Sequence, residues 1–147
     1  MNSSPMNFEH IKYGALNARQ KEQYNFQKVS GILADYGFRT ILLSDDWNGA
    51  DFIAQHIDGE TFLMVQLKGR ASFSRKYQGK KIWVCFRDGE SLYLDPHDEV
   101  LDQILKSTGI ADTESWSQHG GYSFPYLSKE LAALLKPYRL VVSAQQE

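Results

Sequence analysis

The chain is expected to fold as a single α/β (α+β) domain with a mixed central β-sheet of four or more strands flanked by helices. Three observations predict this. A helical stripe near the N-terminus precedes several apolar runs of strand length, Asp58-Gly59 marks a turn joining two of those runs, and further helical spacing follows downstream. At 147 residues and 42% hydrophobic composition, the chain can bury a core without disulfides or metal staples. No internal repeat or linker divides residues 1–147.

Residues 1–14, with Pro5 and Gly14, read as a loosely tied arm, and 143–147 as a tail. From Leu16 to Tyr36 the spacing is helical: Phe26, Val29, Leu33 and Tyr36 recur at steps of three and four, widened by Ile32. Gly37 supplies the residue that ends the helix. Gly31 inside it costs about 1 kcal/mol relative to alanine and marks an expected close approach to the sheet. One turn back, the same stripe reaches Glu22, which either points at a site or lies at an exposed helix end. Residues 39–44 form a first strand, followed by an expected loop over 45–49, in which Asp45 and Asp46 read chiefly as turn formers. Strands over 50–57 and 61–68 flank Asp58-Gly59, and the second, nearly all apolar, suits a central position covered on both faces. A strand over 82–86 and the run Ser91-Leu92-Tyr93-Leu94 predict a second hairpin. Helices are expected over 98–106 and 128–135, irregular chain over 109–126, and a terminal strand or tail over 140–142.

The hairpin carries the chemistry. Asp-Gly favours a type I′ turn because both central residues need positive φ. Counting outward from it, Asp51 falls opposite Gln66, with Lys68 two residues on. Directly opposed side chains share a face, with Cβ atoms roughly 5 Å apart. Register alone therefore gathers a carboxylate, an amide oxygen and an ammonium. Such a set suits a hard cation held by one or two protein oxygens while it engages a phosphate. Asp51 is the expected main ligand, joined by the Gln66 side chain or the Leu67 backbone oxygen, with Lys68 assisting the attacking water. The blander alternative is an ordinary cross-strand ion pair of Asp51 and Lys68.

Charge is unevenly spread. The formal net charge is −2, yet residues 68–81 hold Lys68, Arg70, Arg75, Lys76, Lys80 and Lys81 and no acid. Interleaved with Phe73 and Tyr77, this run is a candidate phosphate-binding patch; the alternative is a solvated loop. No apolar run approaches the roughly 20 residues of a membrane span, and no signal peptide is evident, so a cytoplasmic protein is expected. The single cysteine, Cys85, reads as a small buried apolar residue. His10, His56, His97 and His119 lack metal-ligand spacing, with His97-Asp98 read as a helix cap, and the three tryptophans read as packing residues.

The stretch from Leu16 to Arg70 resembles the PD-(D/E)XK nuclease superfamily, the restriction-endonuclease-like fold, and especially its Holliday-junction-resolvase-like branch. The resemblance rests on Gly37-Phe38, on Gly49-Ala50-Asp51-Phe52-Ile53-Ala54, and on Met64-Val65-Gln66-Leu67-Lys68-Gly69-Arg70. It implies a mixed four-stranded core and metal-dependent cleavage of nucleic acid, with Mg²⁺ or Mn²⁺ as cofactor. Asp51 matches the metal-binding aspartate, Gln66 the second acid and Lys68 the lysine. Two departures stand out. Gln66 removes a formal charge, and the position of the usual helix acid is Phe26, so either Glu22, one turn earlier on the same face, replaces it or nothing does. The expected function is a Mg²⁺-dependent endonuclease acting on duplex or branched DNA, gripping phosphates with Arg70, Arg75, Lys76, Lys80 and Lys81. Cutting both strands of a duplex calls for a homodimer. The alternative is a catalytically inactive module of the same fold that binds nucleic acid or a protein partner.

Overall fold

The computed structural model describes residues 7–142, except for the side chains of Asp46 and Trp47. Its framework is a mixed six-stranded sheet flanked by helices. Helix α1 (Ala18–Asp35) starts at a capping box, in which Asn17 Oδ1 accepts the Gln20 N–H and Gln20 Oε1 accepts the Asn17 N–H. Gly37, at φ +85°, turns the chain out of the helix. Strands β1 (Phe38–Trp47), β2 (Ala50–His56) and β3 (Phe62–Leu67) form an antiparallel meander. The short strand β4 (Ser72–Ser74) lies in the crossover to β5 (Ile82–Asp88), which pairs parallel to β3. Strand β6 (Ser91–Pro96) returns antiparallel, then α2 (His97–Ser107), α3 (Glu114–His119), β7 (Gly121–Ser123), α4 (Lys129–Leu135) and β8 (Arg139–Val141) follow. The sheet order is β1-β2-β3-β5-β6-β8, and β4 pairs with β7 in a separate two-stranded ribbon.

Alternating strand residues feed different cores. On one face, Val29 and Leu33 of α1 pack with Phe52, Ala54, Val65 and Cys85. On the other, Ile82 and Val84 meet Ala50 and Tyr77, while Phe73 and Phe86 pack with Val100, Leu101 and Ile104 of α2. Cys85 is fully buried, and burial pushes its thiol pKa up. No described helix is long and apolar enough to cross a membrane.

Several local expectations need correction. The turn with two positive φ values is Asn48-Gly49, between Trp47 and Ala50, so β1 extends into the expected loop over 45–49 as far as Trp47. At Asp58-Gly59 only Gly59 has positive φ. Asp58 Oδ1 instead accepts the Glu60 and Thr61 N–H groups, and the His56 N–H donates to the Thr61 carbonyl oxygen, closing a four-residue loop. Both loops have the same symmetric count, so the register survives. Gly31 faces open space rather than the sheet. Tyr36 is exposed, its hydroxyl hydrogen-bonded to the Val141 backbone. The region over 109–126 is ordered into α3 and β7, with Thr113 capping α3 and Gly120 ending it at φ +70°. Pro96, not His97-Asp98, occupies the N-cap of α2.

Candidate functional site

The β2–β3 ladder ends with Phe52 paired with Val65, and counting one residue beyond it sets Asp51 against Gln66. Asp51 is half-buried between two fully buried neighbours, Ala50, which packs in the Tyr77 cluster, and Phe52, which packs in the α1 cluster. The intervening carboxylate reaches the neighbouring backbone, where Oδ2 accepts the Leu67 N–H at 2.8 Å. Leu67, expected to offer its carbonyl oxygen, thus meets Asp51 through its N–H.

Asp51, Gln66, Leu67 and Lys68 all line one cleft of about 1180 Å³, and Glu22 of α1 lines it as well. Asp51, Gln66 and Lys68 are half-buried, whereas Glu22 is exposed. The charged lining also includes Arg19, Asp45 and Arg87, giving three cations and three carboxylates. A polyanion gains little from so balanced a surface until a bound cation offsets the carboxylates. Among the described residues no three His, Cys, Asp or Glu side chains are grouped as a metal site. The donors present are oxygens of Asp51, Glu22 and Gln66. They fit Mg²⁺, a hard ion that keeps several waters and uses few protein ligands.

The basic run is an anchored crossover rather than a free loop. Ala71, Phe73 and Tyr77 are buried while Arg70, Arg75, Lys76, Lys80 and Lys81 are exposed. Arg70 lines a smaller groove of about 110 Å³ with Gly69, which also lines the main cleft. Arg75 stacks 4.9 Å over the Trp116 ring. Parallel pairing of Met64 with Ile82 sets Lys81 about five residues, or about 16 Å, back along the sheet from the level of Lys68. Lys81 is therefore well separated from Lys68, whereas Lys76 meets Lys68 on the Tyr77 ring.

Two residues that the sequence suggested only as a helix cap, His97 and Asp98, instead fasten the crossover. The Ser74 N–H donates to Nε2 of the fully buried His97, so Nδ1 carries the proton and donates to Asp98 Oδ1 at 2.8 Å. Asp98 Oδ2 accepts the Gly79 N–H. Burial lowers the His97 pKa, against the pull of Asp98. No local pattern announces a partnership between residues 74 and 97; only Asp98 near the start of a helix was visible as a signal. Asp46, read from sequence as a turn former, and Trp47, read as a packing residue, have side chains outside the described residues.

No family model, no curated protein and no solved structure matches this chain.

Proposed function

We propose that the chain is a metal-dependent nuclease that hydrolyses phosphodiester bonds in DNA at the Asp51–Gln66–Lys68 cleft. The observation that carries this reading is the convergence of Asp51, Gln66, Lys68 and Glu22 on one cleft, at the start of a basic crossover. Asp51 is the principal metal-holding carboxylate, steadied by the Leu67 N–H, with Gln66 and Glu22 contributing further oxygens. Mg²⁺ or Mn²⁺, when bound there, supplies neutralisation of the negative charge that builds on the phosphate. Lys68 orients the attacking water and stabilises that same charge. A preorganised cation of this kind is worth roughly a hundredfold in rate. The crossover cations Arg70, Arg75, Lys76, Lys80 and Lys81 hold flanking phosphates. Cleavage of both duplex strands uses two copies of the chain.

One observation favours a second reading, an inactive module of the same fold that binds nucleic acid or a protein partner: the second acid position holds the neutral Gln66. Incubating the purified chain with plasmid, single-stranded and branched DNA, with Mg²⁺, Mn²⁺ or chelator, separates the two. The nuclease reading expects cleavage that needs metal and is lost in Asp51→Ala and Lys68→Ala. Cleavage of no substrate, with DNA binding indifferent to metal, selects the inactive module.

A further inference from the structure

We infer that Tyr77 is a positioning residue that sets Lys68 and the turn leading into Asp51 against each other. Its catalytic consequence rests on the nuclease reading above; its positional claim does not.

The Tyr77 side chain is 2% exposed, in the short 3₁₀ turn Arg75–Tyr77 of the crossover, and packs with Ala50, Ile82 and Val84. The Lys68 Nζ lies 5.7 Å from its ring centroid and the Lys76 Nζ 5.1 Å. Both distances fall within the range over which an aromatic ring attracts an ammonium. The ring also borders the β1–β2 turn. A Cβ added to Gly49 would stand 2.9 Å from the Tyr77 Cδ1 and 3.0 Å from its Cε1, so only a residue without a side chain fits there. Gly49 is two residues from Asp51, and its φ of +89° independently favours glycine. His97 meets the ring edge-on at 5.5 Å. That imidazole is itself fixed by Ser74 and Asp98, so the ring has a rigid backing.

One ring thus touches both strand ends that build the site: the turn before β2, and Lys68 just beyond β3. Displacing it moves the ammonium relative to the carboxylate. Misplacements of about 1 Å in such arrangements cost up to about a hundredfold in rate. The cation contacts, the edge contact with His97 and the packing on Ala50, Ile82 and Val84 are made by the ring, which phenylalanine keeps.

The test combines nuclear magnetic resonance of the Lys68 side chain, assigned with Lys68→Arg, and Mn²⁺-dependent DNA cleavage by the full chain. Tyr77→Leu is expected to shift the Lys68 Cε resonances through loss of the ring current. It should lower kcat about tenfold or more with KM nearly unchanged. Tyr77→Phe should retain both the wild-type shifts and the rate. Should Tyr77→Leu unfold, Gly49→Ala serves instead, because it drives the ring away from the opposite side and should move the same resonances. Lys68 signals unmoved by the folded variant, or a Tyr77→Phe defect as large as that of Tyr77→Leu, would overturn the proposal. If Lys68→Ala cleaves like wild type, the nuclease reading fails while the resonance arm still judges the role of Tyr77.

Discussion

Gln66, Val84 and Asp95 lie in one row of the sheet, and counting one residue past the β2–β3 ladder brings Asp51 to its other end, yet Asp51 and Asp95 live in opposite circumstances. Asp51 is half-buried on a cleft and accepts a backbone N–H. Asp95 is 1% exposed, and its Oδ1 has no hydrogen-bond partner among the described residues. Burial pushes the Asp95 carboxyl up to about 7. A carboxyl beside open space can meet a hydrated cation. One sealed under side chains resists ionisation because nothing replaces its water. The difference lies in what covers each end of the row, not in residue type.

Removing each carboxyl should therefore do different things. Asp51→Ala is expected to lower metal-dependent cleavage about a hundredfold or more, well beyond the effect of the stability, about 1–3 kcal/mol, lost with the acceptor of the Leu67 N–H. A loss of stability without a loss of cleavage would erase the contrast. Asp95→Asn should act on stability instead. The folded pKa of Asp95, about 7, lies above its ordinary 3.8, so the folded state binds the proton more tightly. The stability from that proton is fully present below about pH 4 and is lost as pH rises through about 7. Relative to wild type, Asp95→Asn should gain up to a few kcal/mol as pH rises from about 4 to about 8, read from urea midpoints. A difference independent of pH would contradict the assignment.

Smaller effects sharpen the picture. His97→Ala leaves the Ser74 N–H without its acceptor, an expected loss of about 1–3 kcal/mol, with faster hydrogen exchange at Ser74 and Gly79. Unchanged exchange there would mean that the crossover is held by packing alone. Neutralising Lys80 and Lys81 together should reduce the salt dependence of DNA binding by at most about two units of slope. An unchanged slope would remove that end of the basic run from the interface.

The row itself was legible in the sequence because register depends on the symmetry of a loop rather than on its turn type. Asp58-Gly59 indicated the correct pairing although the two-residue turn with positive φ values formed at Asn48-Gly49. Helix α1 was equally legible from the stripe through Val29 and Leu33 and from Gly37. Strands β4 and β7 were not, because three-residue strands have too few alternations to register and exist through pairing with each other. Helix α3 has only six residues, and its Thr113 cap and Gly120 stop were hidden in a polar stretch. The burial of Asp95 depends on what the rest of the chain packs over it, which strand periodicity does not report.

The cleft's capacity to hold a divalent ion through Asp51 is tested most directly by calorimetric titration of Mn²⁺ into wild type, Asp51→Asn and Gln66→Glu. The expected outcome is one site, weakened about tenfold or more by Asp51→Asn and tightened by Gln66→Glu, which restores a carboxylate beside the ion. Equal affinity in all three proteins would contradict it.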